Sequence, residues 1–568
     1  MKKDRETKGG NPIRPGLLVR LADFFRRHAM ALSSAVLLRL AFPKPSLYPL
    51  AFIALIPLVL AFLHETRPRG GFRQGLIFGF VFYYANIFWL NTIAYYNPFA
   101  YIGIFLMGLY FALCGGLFGL VFVALARRAP RMAFVSFAAL WVFLEYLRSL
   151  GQLAFPWSYL SASQARFLWL IQVCDVTGVW GLSLLIALIN GAFAQSIHQY
   201  RQRGLRHGAV FPIAVAVAAL AFVLIYGVLR LRSDFEGGTS IRTTIIQPDI
   251  TQKIKFYSYA GTKEQTETLP FVLEGVNYDM LQDIPDHGTD LVVLPEAAFT
   301  RPYFGLDRNI IGRMKQEARR IGAGILAGAN REIFFDRNGR RITHEGAVAD
   351  VGAYNSAWFF TREGELYGKA YDKMQLVPFG EHVPYFDLIP GFQRIIVQAG
   401  SYMKGTEYTL FPVKAWDTST SPPLHAGYAR FGCVICFESA FPHLFRRFHR
   451  TGADFMTIIT NDAWYEDSAG PWQHHDLAFF RAVETRQWIV RCSNRGLSAI
   501  IAPSGRAVAE SGLNTRAVLS GEVKPQRNRT VYGAAGDWLP WLCFIFMTIL
   551  FMKRGEWRIS LNSGGPEE

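Results

Sequence analysis

Charge is scarce in this chain. Asp, Glu, Lys and Arg make up 18% of its 568 residues, against 51% hydrophobic, too apolar for an ordinary soluble protein. No repeat or low-complexity tract appears, so solenoid and disordered-array architectures are excluded. No phosphate-binding loop is present, which removes the nucleotide-dependent classes. The first apolar run has no small-residue cleavage site and further apolar runs follow at once, so a cleaved signal peptide is not expected. Cys433 and Cys436 lie three apart in "GCVICFESAF" (432–441), and no second Cys pair accompanies them, so a zinc site lacks its ligands.

What the chain does have is apolar length in particular places. Seven apolar segments occupy roughly 29–44, 48–63, 74–95, 100–126, 132–147, 168–197 and 208–230, and an eighth covers 534–552. Several approach or exceed the ~20 residues needed to cross hydrocarbon. Their connections alternate in charge. Residues 1–27 are basic, and so are the connections with Arg67, Arg69 and Arg73, with Arg127, Arg128 and Arg131, and with Arg201, Arg203 and Arg206; "YYNPFA" carries no charge. This alternation predicts a cytoplasmic N-terminus. The expected organisation is a cytoplasmic segment 1–27, a seven-helix membrane domain 28–232, an external domain 233–530, an eighth helix 533–552 and a cytoplasmic tail 553–568. Most of the formal charge of +16 then reports membrane orientation, and the basic balance is no argument for nucleic acid.

Residues 233–530 read as one α/β domain. Short β-rich runs such as "DLVVLPE" (290–296), "YNSAWFF" (354–360), "GCVICFE" (432–438) and "FMTIITND" (455–462) alternate with helical patterns at 308–322 and 474–488. Near-continuous apolar strands predict a sheet covered on both faces. Glu296, Glu438, Asn461 and Asp462 stand at strand ends, where α/β sheets build sites.

Each candidate has a plain structural reading beside the chemical one. A strand over 433–438 sends Cys433 and Cys436 to opposite faces with their α-carbons ~10 Å apart at ~3.3 Å per residue. A disulfide needs less than ~7 Å, so a redox pair is disfavoured. That leaves two buried thiols, or a nucleophile at Cys436 beside Glu438. His474 and His475 read as an exposed pair at a helix start, with a base or metal-ligand role as the sharper alternative. Glu296 is a turn cap or a base, and Lys373 a surface lysine or a charge stabiliser.

Taken together, Glu296, Lys373 and Cys436 resemble the Glu-Lys-Cys triad of the nitrilase (carbon–nitrogen hydrolase) superfamily. "YDKMQLVPFGEHVPY" (371–385), "GCVICFESAFP" (432–442), "TNDAWYEDSAGPWQHHDLAFFRAVETRQWIVRCSNRGLSAIIAPSGR" (460–506), "QPDITQKIKF" (247–256) and "FPW" (155–157) further resemble the bacterial apolipoprotein N-acyltransferase family. The resemblance implies an αββα nitrilase-like domain joined to about eight transmembrane helices, and location in the bacterial inner membrane with the domain in the periplasm. It implies transfer of a phospholipid acyl chain to the α-amino group of the diacylglyceryl-cysteine of an apolipoprotein, through a cysteine thioester, by a monomer that needs neither cofactor nor metal. Its implied roles are Glu296 as base, Lys373 as oxyanion stabiliser and Cys436 as nucleophile, with Glu381, Glu438 and Phe437 in support. Trp464, Phe256, Phe386 and Phe392 are implied lipid contacts. The chain departs from the family at Leu294-Pro295-Glu296-Ala297, where Trp and Ser often flank the Pro-Glu, at Phe437, often Tyr, and at Phe256, often Trp. The alternatives are a membrane-anchored amidase or nitrilase delivering the acyl group to water, and a transporter with an external binding domain; the spans show no evident ion path.

Overall fold

The structure is a computed structural model. It describes residues 17–552 apart from 97, 99, 204–206, 234–238, 302–303, 338–339, 343–347, 349, 383, 386–401 and 418–423.

The N-terminal part is helical. Among the described residues, four helices are long and apolar enough to cross a membrane: Ala100–Arg128, Pro130–Leu147, Val179–Gln202 and Ala209–Leu231. A fifth is a pair, Pro68–Asn86 and Phe88–Tyr95, bent by 52°. The helix over Pro68–Asn86 meets Ala100–Arg128 through small residues. A Cβ at Gly75 would lie 2.0 Å from the Gly115 carbonyl oxygen, and one at Gly119 would lie 2.1 Å from that of Gly71. Only glycine allows backbones this close, the usual device of membrane helix pairs.

Against the expected eight or so spans, the described residues hold four such helices, or five with the bent pair. The run 168–197 begins as two short turns, Leu168–Ile171 and Cys174–Thr177, and breaks at Gly178, whose φ is +64°. The run 48–63 divides into a 3-10 turn, Tyr48–Phe52, and a helix, Ile56–His64. The C-terminal helix, Trp538–Met552, has 15 residues. Hydropathy registers apolar length and is blind to a left-handed glycine that interrupts the helix.

Among the described residues the second part contains thirteen strands: β1 (Thr239–Gln247), β2 (Leu291–Val293), β3 (Gly324–Phe335), β4 (Arg341–Ile342), β5 (Asp350–Phe360), β6 (Tyr371–Asp372), β7 (Leu410–Asp417), β8 (Leu424–Ile435), β9 (Phe455–Thr460), β10 (Ile489–Ser493), β11 (Ala499–Ile501), β12 (Ala507–Glu510) and β13 (Ala517–Val523). They form two sheets. One runs β13-β1-β2-β3-β5-β6, with β4 on β3; the other runs β7-β8-β9-β10-β11-β12. The two join where Thr239 and Ser240 pair with Asp417 and Trp416.

Side-chain alternation stacks the layers. Leu291, Val293 and Leu326 belong to the core shared with Phe431, Cys433 and Ile458 of the second sheet. Their neighbours Val292, Ile325 and Ala327 turn the other way, onto Met280, Leu281, Met314 and Ala318, which lie on the helices Lys263–Gln282 and Arg308–Ile321. This is the period-two pattern of a strand buried on both faces. Helices Pro442–Thr451 and Gly470–Thr485 cover the second sheet, which completes an αββα sandwich. Strands β1, β2 and β3 run parallel, as do β8, β9 and β10. The segments leaving the C-terminal ends of β2, β8 and β9 meet, and the candidate residues lie there.

Candidate active site

β8 ends at Ile435, and Cys436 is the first residue of a 3-10 turn, Cys436–Ala440. Its φ is +54°, a conformation that non-glycine residues rarely adopt and that clusters at functional sites. The expectation that the strand continues through Glu438 is therefore corrected: backbone reversal after Ile435, and not strand alternation, separates the two cysteines. Cys433 remains within β8, fully buried in the core between the sheets.

Glu438 braces the turn. Its carboxylate accepts from Ile435 N (2.7 Å), Met374 N (2.7 Å), Gln375 N (2.9 Å) and the Tyr371 hydroxyl (2.9 Å). Burial pushes its carboxyl up to about 7, opposed by those backbone N–H groups and by the Lys373 charge. All four partners donate, so the network is built for the carboxylate. It ties the turn at Cys436 to the segment at Lys373, two stretches far apart in sequence.

Glu296 follows β2 by way of Leu294 and Pro295. One of its oxygens accepts from Asn355 Nδ2 (2.8 Å) and the other from Asn461 N (2.9 Å). Lys373 Nζ lies 3.6 Å from Glu296 Oε1 and 2.8 Å from Glu381 Oε1. Glu381 also accepts from Asn355 Nδ2 (3.1 Å) and Val377 N (2.9 Å). The result is a closed ring in which Asn355 and Lys373 each bridge the two carboxylates. Lys373 is fully buried. Burial works against its ammonium, but Glu381, Glu296 and Cys436 outweigh it and hold the lysine above its ordinary pKa. At Cys436 burial pushes the thiol up, Glu296 adds to this and Lys373 opposes it. Glu296 thus acts on both the Cys436 thiol and the Lys373 ammonium.

The aromatic candidates surround this ring unevenly. Phe437 packs on Phe155 of "FPW" (centroids 5.9 Å) and on Phe441 (5.1 Å). Trp464 and Phe256 both contact Tyr96, at 5.5 and 5.3 Å, so the segment after the bent helix pair meets the sandwich at the rim of the site. Phe386 and Phe392 lie outside the described residues.

The histidines are a correction. His474 and His475 are both fully buried, because Gly470–Thr485 is covered on its outer side by membrane-domain residues. Trp89 and Trp157 both donate their indole N–H to Gln473 Oε1, at 3.0 and 2.9 Å. His474 is bonded to Asp462, and His475 to Glu510.

Asn355 went unnoticed in the sequence. Its signal was a polar residue in the middle of an apolar strand, "YNSAWFF". Lys255 was missed too: fully buried, it donates from Nζ to the Ala297 carbonyl (2.9 Å). This braces the turn after Glu296, where Ala297 has φ +49°.

Known proteins resemble this chain over most of its length. The sequence model of the apolipoprotein N-acyltransferase N-terminal domain matches residues 34–192, and that of carbon-nitrogen hydrolase matches 269–532. The apolipoprotein N-acyltransferase of Geobacter metallireducens is 34% identical over 539 residues, covering 92% of this chain and 95% of its own. That of Rhodopseudomonas palustris is 30% identical, covering 95% of this chain and 99% of its own, and that of Chlorobaculum tepidum is 29% identical, covering 90% and 94%. A nitrilase-type domain behind apolar helices, matched along nearly its whole length, places this chain in the apolipoprotein N-acyltransferase family.

Proposed function

We propose that the protein moves a fatty acyl chain from a phospholipid to the α-amino group of an apolipoprotein's N-terminal diacylglyceryl-cysteine, in two half-reactions through a thioester on Cys436. The observation that carries this reading is the Glu296–Asn355–Glu381–Lys373 ring beside a cysteine held at positive φ. In the first half-reaction Glu296 takes the thiol proton and the Cys436 sulfur bonds to the ester carbonyl carbon. The tetrahedral oxyanion is held by the Lys373 ammonium and the Phe437 N–H. The ester C–O bond then breaks, and the departing lyso-lipid oxygen takes the proton from Glu296. In the second half-reaction the amine attacks the thioester, Glu296 accepts the amine proton, the C–S bond breaks and the proton returns to the sulfur.

The membrane part follows from the substrates. Both are lipids, so the site must stand at the bilayer surface with an apolar approach. Trp464, Phe256 and Phe437, backed by Tyr96 and Phe155, supply one. The test is product analysis with phospholipid and a diacylglyceryl-cysteine peptide. N-acylated peptide and lyso-lipid in equal amounts are expected. Free fatty acid with unmodified peptide would overturn the reading in favour of an amidase-type hydrolase, and no chemistry at all would point to a transporter.

In the same reading eight segments traverse the bilayer: Leu17–Ala41, Tyr48–His64, the bent pair, the four long helices and Trp538–Met552. Residues 233–530 then face the periplasm and both termini the cytoplasm, as the arginine placement requires. A membrane-impermeant thiol reagent on intact spheroplasts is expected to label Lys263→Cys, whose native side chain is 88% exposed, and to spare Arg201→Cys in the last turn of the helix Val179–Arg203. Labelling of the second and not the first would reverse the orientation.

A further inference from the structure

A fully buried polar chain lies behind the nucleophile, and no step above uses it. His474 Nδ1 donates to Asp462 Oδ1 at 2.7 Å. Its Nε2 lies 2.8 Å from Ser439 Oγ and 3.1 Å from the carbonyl oxygen of Cys436. Asp462 also accepts from Arg491 Nη2 (2.7 Å), Thr460 Oγ1 (3.0 Å) and Ser493 Oγ (3.2 Å). The Trp157 and Tyr465 rings also lie against His474, at 5.4 and 6.4 Å. Asp462 is the charged group in contact with the imidazole. Burial disfavours its charge, but Arg491 and His474 prevail and hold it down to about 2.

Two facts of chemistry give this arrangement meaning. A carbonyl oxygen only accepts, so the contact with Cys436 is a hydrogen bond when Nε2 carries a proton; with Nδ1 already donating to Asp462, that form is the imidazolium. In addition, the Cys436 carbonyl and the Phe437 N–H belong to one peptide group. A charge-assisted donor on the oxygen draws electron density from the nitrogen and makes its N–H a stronger donor.

We infer that His474, charged and held by Asp462, is a positioning residue that fixes and polarises the Cys436–Phe437 peptide as the backbone half of the oxyanion site. The inference rests on the thioester reading above. Because both half-reactions pass through an oxyanion at the same place, it requires that both slow by the same factor, whichever substrate is bound.

The test uses the full-length protein in detergent or vesicles, with phosphatidylethanolamine carrying a 13C label at the acyl carbonyl and a diacylglyceryl-cysteine peptide. Asp462→Asn keeps a side chain of the same shape and removes the charge that holds the imidazolium; His474→Gln keeps a neutral donor. In both variants the rates of Cys436 acylation and of transfer to the peptide are expected to fall together, by about tenfold for Asp462→Asn. The concentration dependence on each lipid should stay the same. The thioester carbonyl stretch of the labelled acyl-enzyme should move to higher frequency, because its oxygen is less strongly held; a residue that merely supported the fold would not shift it. Unchanged rates and an unchanged carbonyl frequency in Asp462→Asn would overturn the inference, as would slowing of one half-reaction alone. If the wild-type protein forms no acyl-enzyme, the thioester reading itself falls. Should Asp462→Asn fail to fold, His474→Gln carries the same two readouts.

Discussion

Exposed to phospholipid alone, the wild-type protein is expected to gain the mass of one acyl chain and to release lyso-lipid, whereas Cys436→Ala should gain nothing. Neutral hydroxylamine should remove the added mass, as it does from a thioester, and the mass should map to the peptide containing residues 432–441. Cys433→Ala is the internal control. Cys433 sits three residues earlier with its thiol in the core between the sheets, and burial pushes that thiol up as well, so it is neither accessible nor reactive. Losing its sulfur leaves a small cavity that costs roughly 1 kcal/mol of stability, and acylation should proceed at the wild-type rate. Cys436 differs because it follows the strand in a turn, at φ +54°, where Glu296 and Lys373 both act on its thiol. Without acceptor the acyl-enzyme should persist for minutes or longer, since a dry site keeps water from the thioester. Acylation that survives in Cys436→Ala would remove the nucleophile from that position, and immediate hydrolysis would favour the amidase reading.

The second large effect concerns the ring. Lys373→Arg keeps a positive charge, yet acylation is expected to fall by a factor on the order of 10² to 10³, the usual cost of one oxyanion donor. Lys373 is fully enclosed, with its compact ammonium placed between Glu381 at 2.8 Å and Glu296 at 3.6 Å. A planar guanidinium is larger, donates in a fixed fork, and would satisfy the two carboxylates at the expense of the third direction, toward the substrate. Glu296→Gln should cost on the order of 10² to 10⁴ by removing the proton acceptor, while its amide keeps an acceptor for Asn355. Single-turnover acylation measures both, with thermal unfolding to establish that the variants are folded. Near-wild-type turnover in either variant would show that its role is misassigned.

Much of this site can be read from residue types and their places. Glu296, Cys436 and Asp462 stand at the ends of apolar runs, and Lys373 lies in a segment resembling a known family. Their companions are less visible. Asn355 is 59 residues from Glu296 and 26 from Glu381, and nothing local to "YNSAWFF" tells which acids it bridges. Phe437 and Trp464 could be named as aromatic contacts, but Tyr96 and Phe155, which back them, come from the membrane domain. The histidine pair was misjudged for a related reason. A helix start preceded by polar residues looks exposed until tryptophans from positions 89 and 157 close over it.

By itself the sequence determined the division into an apolar helical part and an α/β part, and the residue types of the ring, because these follow from composition and from periodicities of two and 3.6 along the chain. Tertiary structure alone decided where the helices break, which face Cys436 presents, and that one ammonium is shared between two carboxylates with a buried imidazole behind the nucleophile. Those features depend on contacts between residues tens to hundreds of positions apart, and on a backbone reversal whose strain only the packed surroundings can sustain.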